Sequence, residues 1–331
     1  MEMGEVTVII PSIRWEAFTQ RCVETCSKLY PGVGLILVLD DVGGVPEGMP
    51  FLVLEQLGGT ISSKRNHGVA LARSEFIAFI DSDAFPHRDW LPATIAALRQ
   101  RPDAAIVGGP NISPPEQEEG RALVGMATRS WLVAGRWNFY KSAHSAARYC
   151  DNLPACNMVM RKVDYMALGG MDATLELGED TDLCARVIAS GRKVYFEPKA
   201  IVYHYDRNIT DYLRQRMVRG AGLYMLLAGG SAQRRNPYTY LMLQPVVTLL
   251  LVASFPLALF WGGWAVLLLL GASAYMGLVL IEASRHADRF LQIPALSVLI
   301  VVGNLLPGVG FLAKATGLLP SLHSFYRNDR A

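Results

Sequence analysis

Residues 76–83 read Phe-Ile-Ala-Phe-Ile-Asp-Ser-Asp, a five-residue apolar run that drives straight into two acids one residue apart. An apolar run this short and uninterrupted marks a strand buried on both faces of a sheet. The same pattern recurs at 6–10 (Val-Thr-Val-Ile-Ile), 35–39 (Leu-Ile-Leu-Val-Leu) and 51–54 (Phe-Leu-Val-Leu), with helical stretches at 15–29 and 62–72. Strands alternating with helices specify a mostly parallel α/β sheet covered on both sides, and such sheets bind ligands beyond the carboxyl ends of their strands. Polar groups stand at those ends: Pro11 and Ser12 after the first run, Asp40 and Asp41 after the second, Asp81 and Asp83 after the fourth. Singly, Ser and Asp are also turn and helix-cap residues; it is their convergence on one sheet edge that points to a site. If the chain stays extended through Ser82, Asp81 and Asp83 face the same way, and two carboxylates so close call for a cation between them.

The next stretch is less regular. A helix is expected over 90–101, a strand over 104–109, a strand over 157–160 and a helix over 162–168. Leu177-Gly178-Glu179-Asp180-Thr181-Asp182 leads into a helix that ends at Ser190 before Gly191, followed by strands at 194–196 and 200–203, the last running into His204. Residues 121–148 match no single periodicity and carry Trp131, Trp137, Phe139 and Tyr140. A formal net charge of +2, with no basic run interleaved with aromatics, argues against a nucleic-acid partner. Five cysteines with no CxxC pair make no disulfide framework, and Cys22 and Cys26, one helical turn apart, read as packing residues. The opening Met1-Glu2-Met3-Gly4-Glu5 has no basic segment before its first apolar run, so no cleaved secretory signal is expected.

These segments, VTVIIPS, LVLDD, SSKRNHGVALARSEFIAFIDSDAFPHRDWL, GGMDATLELGEDTDLCARVIASGRKVYFEP and VYHY, resemble in order and spacing the family 2 glycosyltransferases, over roughly residues 5–220. The resemblance implies a GT-A fold, a Rossmann-like nucleotide-diphospho-sugar transferase domain, and transfer of a sugar from a nucleotide-sugar to an acceptor with inversion. It implies Mg²⁺ or Mn²⁺ at the DxD element, with Asp83 as direct ligand, Asp81 toward the ribose, and His204 where relatives place a further metal ligand. Asp40 or Asp41 falls where the family reads the nucleotide base. Pro11, Ser12, Lys64, Arg65 and Asn66 fall where it contacts the donor. Asp180, beside Glu179, matches the family's base, which takes the acceptor proton opposite the leaving group; the competing structural role is a helix cap. Asn157, Trp137 and Trp131 are candidates to border the acceptor, together with Glu179. Two departures bear on the base contacts: Pro11-Ser12-Ile13-Arg14 stands where the family has a Pro-x-Tyr-Asn-like turn, and Asp40-Asp41-Val42-Gly43 where it has Asp-Asp-Gly-Ser. The Gln-x-x-Arg-Trp of processive synthases is replaced by Gln215-Arg216-Met217-Val218-Arg219, which implies single addition.

Beyond Tyr238 the composition changes. Stretches 241–261, 264–281 and 293–312 are each near the ~20 residues that cross a bilayer. The first two read as a hairpin turning at Gly262-Gly263; the third, with Asn304, Pro307, Gly308 and Gly310, reads as a kinked span or a re-entrant segment. Arg214, Arg216, Arg219, Arg234 and Arg235 precede the first stretch, and Arg285, His286 and Arg289 precede the third, which puts both flanks in the cytoplasm by the positive-inside rule. The expected organisation is a catalytic domain at 1–236, with 207–236 a candidate interfacial helix, and an α-helical transmembrane domain of two to three helices at 237–331. The expected protein is a multi-pass protein of the cell membrane with its catalytic domain on the cytoplasmic side, facing membrane lipid and a lipid-linked or glycan acceptor. A catalytically silent nucleotide-sugar-binding scaffold is the alternative, and three retained acids, Asp81, Asp83 and Asp180, weigh against it. A nucleotidyltransferase would want a glycine-rich phosphate loop after the first strand, which Pro11-Ser12-Ile13-Arg14 lacks.

Overall fold

The computed structural model describes residues 4–49, 52–175, 178–228, 250, 254 and 261–319. In chain order the elements are β1 (Val6–Pro11), α1 (Ala17–Leu29), β2 (Gly34–Leu39), β3 (Leu52–Gln56), α2 (Ile61–Leu71), β4 (Phe76–Phe79), β5 (Ala84–Pro86), α3 (Trp90–Gln100), β6 (Ala104–Gly108) and β7 (Asn111–Ile112). Then come α4 (Glu119–Arg129), α5 (Trp131–Ala134), β8 (Arg148–Cys150), β9 (Met158–Arg161), α6 (Lys162–Ala167), α7 (Glu179–Ala189), β10 (Lys193–Phe196), β11 (Val202–His204) and α8 (Ile209–Ala228). Two long helices close the described chain, here α9 (Gly262–His286) and α10 (Ile293–Ala315). The chain forms two compact units, one of residues 1–115 and 139–205, the other of 116–138 and 206–331.

The first unit is built on an eight-stranded sheet in the order β3-β2-β1-β4-β9-β6-β10-β8. Strands β1 to β4 are parallel, as the short apolar runs require, while β9 enters antiparallel between β4 and β6. Side-chain alternation sorts the two faces into separate cores. Val6, Val8 and Ile10 of β1 and Phe76 and Ala78 of β4 pack with Cys22, Val23 and Cys26 of α1. Ile9, Ile77 and Phe79 point the other way, toward Val69, Leu183 and Val187. The expected packing role of Cys22 and Cys26 is therefore met, and all five cysteines are unpaired.

A second sheet, β5-β11-β7, has no counterpart in the sequence reading beyond the strand at 200–203. It is assembled from two- and three-residue strands, too short to register as a period-2 pattern. Its register is consequential: β11 runs antiparallel to β5 with His204 opposite Ala84.

The second unit is helical. It takes in α4 and α5, so 116–138 belongs with the C-terminal helices and not with the sheet; of the stretch 121–148 that matched no single periodicity, 121–138 lies here and 139–148 in the first unit. The apolar face of α4 explains it, since Val124, Met126 and Ala127 are buried with Val279, Ala283, Leu296 and Ile300. The α8 segment, expected along a membrane surface, packs against α10 through glycines. A Cβ on Gly220 would lie 1.8 Å from the Pro307 carbonyl oxygen, and one on Gly310 1.9 Å from that of Met217. Small residues let backbones approach this closely. Arg216, counted above among flanking charges, is buried, and its Nε donates to the Gly303 carbonyl at 2.6 Å. Helices α9 and α10 are long and apolar enough to cross a membrane by length and composition. The third apolar stretch is one continuous helix with Pro307 inside it, and the first, at 241–261, falls almost entirely outside the described residues.

Close approach at the end of β6 yields a stability prediction. A Cβ on Gly108 would stand 2.0 Å from the backbone oxygen of Asn157, in a place where neither side is a flexible side chain. Gly108→Ala is expected to destabilise the protein by about 1–3 kcal/mol, the range for forced overpacking, read as a lowered melting temperature. An unchanged melting temperature would show that this contact relaxes freely.

Candidate active site

The site is organised by Arg65. This residue lies on α2, is 1% exposed, and extends to two acids from distant parts of the chain. Its Nη2 donates to Asp81 Oδ1 at 2.6 Å and its Nη1 to Glu179 Oε1 at 2.8 Å. The DxD acid and the Gly-Glu-Asp acid are thereby fastened to one guanidinium. Burial pushes the Asp81 carboxyl up, but Arg65 and then His204 outweigh it and hold the group well below the usual carboxylate range. Burial likewise disfavours the Arg65 charge, and its two carboxylates more than offset that.

The cation expected between the two DxD acids thus has a partial answer inside the chain. The extended geometry expected through Ser82 is corrected: Ala84 N donates to the Asp81 carbonyl at 3.0 Å, closing a turn over Asp81-Ser82-Asp83. The turn sends Asp81 toward Arg65 and Asp83 toward β11. There Tyr205 N donates to the Asp83 carbonyl at 3.1 Å, and the imidazole Nε2 of His204 stands 3.4 Å from Asp83 Oδ1 and 3.9 Å from Asp81 Oδ2. The other ring nitrogen of His204 is engaged by the Tyr205 carbonyl at 2.8 Å, which fixes the ring with Nε2 facing the acids. Burial lowers the affinity of His204 for a proton, and the nearby Asp83 and Asp81 raise it by more. Each carboxylate approaches the same imidazole nitrogen, and oxygen and nitrogen donors of this kind could hold a divalent cation of the Mg²⁺ or Mn²⁺ class.

Asp180 lies one residue past Glu179, in the first turn of α7, whose N-cap is Gly178 in the left-handed region. Its Oδ1 accepts from Thr181 N at 2.7 Å and its Oδ2 from Ala155 N at a long 3.4 Å. The helix-cap role expected of Asp180 or Thr181 is not met, since Gly178 is the N-cap and no side chain caps the helix, and one Asp180 oxygen is only loosely held. Burial first, then the adjacent Glu179, push its carboxyl up to about 6, against the opposing pull of Thr181 N and Arg65. A carboxyl with that affinity is suited to accept a proton near neutral pH.

Several expected donor or acceptor contacts turn out to be internal struts. Asn157 is fully buried: its Oδ1 accepts from Trp90 Nε1 at 2.8 Å, and its Nδ2 donates to the carbonyls of Pro110 and Ala200 at 3.1 and 2.8 Å. It lines no acceptor surface. Asn66 donates to the Met171 carbonyl at 2.7 Å and accepts from Met171 N at 3.0 Å and from the Tyr165 hydroxyl, so it ties α2 to the Gly170-Met171 turn. Lys64, buried, donates to the Ser12 carbonyl at 2.6 Å and pairs with Asp40 at 2.8 Å, joining the ends of β1 and β2. The Ser12 hydroxyl, just past Pro11, is itself occupied by the Arg14 carbonyl and Thr19. Asp41 is exposed and accepts from Gly43 N at 2.9 Å in its own turn. Trp137 has its side chain outside the described residues, and Trp131 belongs to α5 of the second unit. One neighbour of the site was missed: Cys156 of the turn 155–157, whose type and position carried no signal in the sequence.

A sequence profile described as glycosyltransferase like family 2 matches residues 4–222. The chain belongs to that family. Similar curated proteins include a pre-mycofactocin glycosyltransferase of Mycobacterium tuberculosis, 30% identical over 65% of this chain and 46% of that protein. Another is a glucosyl-dolichyl phosphate glucuronosyltransferase of Haloferax volcanii, 22% identical over 62% of this chain and 69% of that one. The chain thus spans about half the length of the first of these. Among solved structures, a mannosyltransferase from Pyrobaculum calidifontis in complex with GDP-Man and Mn²⁺ superposes with a TM-score of 0.57 at 16% identity, covering 93% of this chain and 87% of that one. The expected α/β GT-A fold, followed by apolar helices, is what this likeness and the sheet order show.

The clamp has a measurable consequence. Removing one member of a buried ionic network leaves the others unpaired, at a typical loss of about 3–5 kcal/mol. Arg65→Ala is expected to fall in that range by chemical denaturation. Arg65→Lys keeps the charge but lacks the fork that reaches two acids, so it should recover less than half of the loss. Full recovery by lysine would show that charge alone, without the two-armed geometry, holds the site.

Proposed function

We propose that the protein is an inverting glycosyltransferase that moves a sugar from a nucleotide-sugar to a membrane-confined acceptor, with Asp180 as the base. The observation that carries this reading is the placement of Asp180, raised to about 6, next to Glu179, which Arg65 holds against Asp81 of the DxD turn. Donor and proton acceptor are thereby served by one rigid cluster. A divalent cation held by Asp83, Asp81 and His204 would supply charge stabilisation to the departing nucleoside diphosphate. Asp40 and Asp41, at the end of β2, are assigned to the nucleotide base, and Lys64 supports that edge through its contacts with Ser12 and Asp40 and not by direct contact.

In the reaction, the acceptor oxygen bonds to the anomeric carbon from the face opposite the diphosphate. The carbon–oxygen bond to the donor breaks, its electron pair leaves with the diphosphate, and the acceptor proton passes to Asp180. Backside attack inverts the centre by the same geometric logic as an inverting glycosidase. The negative Glu179 beside the base keeps its proton affinity high, while Arg65 limits how high.

The membrane assignment rests on α9 and α10 and on the exposed Arg285 in the last turn of α9 and Arg289 in the connection to α10, which favour the cytoplasmic side by the positive-inside rule. An anchor of this kind suits a lipid-linked saccharide or polyprenyl-phosphate-type acceptor, in keeping with the dolichyl-linked substrate named for the Haloferax relative.

The pH dependence has a definite sign. Below about 6 Asp180 is protonated and cannot accept a proton, so the rate should fall roughly tenfold per unit as pH drops, and level off above it. Glu179→Gln removes the adjacent negative charge and frees Arg65 to act on Asp180, which moves this limb to lower pH. A limb that stays in place in Glu179→Gln would mean that another group governs it. For the metal, the detergent-solubilised protein is to be screened with UDP-, GDP- and dTDP-sugars by thermal shift, with Mn²⁺ and then EDTA. One donor should stabilise the wild type in a metal-dependent way and lose that effect in Asp83→Ala. Equal stabilisation with EDTA would contradict the metal assignment, and no response to any donor would favour the scaffold alternative.

A further inference from the structure

His204 serves two sets of donors. Asp83, the more exposed of the two acids, faces its Nε2 at 3.4 Å. On the inner side Asp81, Cys156 and His204 each present one ligand atom, and the three atoms lie within 4.8 Å of one another. Cys156 is 7% exposed and sits in the 3-10 turn Ala155–Asn157, which Asn157 anchors through Trp90, Pro110 and Ala200. The sulfur makes no hydrogen bond among the described residues, unlike Cys22 and Cys184, which donate to the carbonyls of Asp81 and Leu153.

Resting on the assignment of Asp83 and His204 to the donor's metal, we propose that Cys156, Asp81 and His204 form an inner site for a thiophilic divalent cation such as Zn²⁺ or Co²⁺, which competes with the Mg²⁺ or Mn²⁺ site by taking His204. The chemistry is specific. A tetrahedral cation about 2.0–2.3 Å from nitrogen, oxygen and sulfur ligands holds them roughly 3.3–3.8 Å apart, so the three atoms need to draw in by only about 1 Å. Sulfur selects Zn²⁺ and similar ions, whereas Mg²⁺ demands an octahedral oxygen shell that this pocket does not offer. As the sulfur–metal bond forms, the thiol proton leaves to solvent, one proton per cation bound. Cys156 is buried and Asp81 and His204 are partly exposed, so an occupant of this site draws both His204 and Asp81 away from Asp83.

The test is direct and does not depend on turnover. Full-length, detergent-solubilised protein is titrated with Co²⁺ without nucleotide-sugar, and the sulfur-to-cobalt charge-transfer band in the near ultraviolet is recorded. The wild type should show the band, saturating at one equivalent, and Zn²⁺ should abolish it. Asp83→Ala should keep it, and Cys156→Ser, or Cys156→Ala if the serine variant is not folded by circular dichroism, should lose it. A folded wild type without the band, or a band that survives in the Cys156 variant, overturns the inference. Failure of this inference and failure of the proposed function are distinguishable. Mn²⁺-dependent donor stabilisation without the cobalt band removes the inner site alone, and the band without such stabilisation removes the donor-metal assignment and leaves the inner site standing.

Discussion

One buried guanidinium holds the site together. Arg65 lies within the core between α2 and the sheet, where an unpaired charge is untenable, so it enforces the presence of two carboxylates within reach of its fork. Asp81 arrives from the end of β4 and Glu179 from the first turn of α7, elements separated by about a hundred residues of chain. The arginine holds Asp81 well below the usual carboxylate range, and neither acid can move without leaving the buried guanidinium short of a partner. What remains adjustable is Asp180, whose carboxyl is left with the burial and the repulsion and little of the compensation.

The parallel half of the sheet delivers Ser12, Asp40 and Asp81 to one edge, and a separate structure completes it. The small sheet β5-β11-β7 pairs His204 with Ala84, next to Asp83. A three-residue strand is a weak element in itself, yet its register decides whether the imidazole faces the DxD turn. Phe85 and Tyr203 stack across that pairing with ring centroids 5.1 Å apart, which fixes the register where hydrogen bonds are few.

Much of this was legible in the sequence. The apolar runs identified β1, β2, β3 and β4, and the acids at their ends were found where the sheet brings them. The motif Gly178-Glu179-Asp180 was read as a base beside a helix start, and α7 does start there, with Gly178 as its N-cap. What the sequence hid was the use of side chains whose type permits several roles. Asn66, Asn157 and Lys64 are amide and ammonium groups that serve a ligand or a buried backbone equally well, and only the fold shows that carbonyls of Met171, Pro110, Ala200 and Ser12 claim them. Asp81 and Asp83 were expected to share a face by strand alternation; a turn replaces the strand there, leaving both carboxylates beside His204 while Asp81 also pairs with Arg65. Residues 121–138 matched no single periodicity because their apolar positions answer to helices far away in the chain, and Cys156 gave no sign of its neighbours because proximity to His204 is purely tertiary.

The most direct test of the account separates donor binding from proton abstraction at Asp180. Asp180→Asn is close to isosteric and leaves Arg65, Asp81, Asp83 and Glu179 in place, so the variant should keep metal-dependent stabilisation by the donor while glycosyl transfer falls by about 10²–10⁴-fold, the range for loss of a general base. Donor binding measured alongside transfer makes the result unambiguous. Wild-type turnover in Asp180→Asn with donor binding intact would contradict the account, because the carboxyl on which the site converges would then have no part in the chemistry.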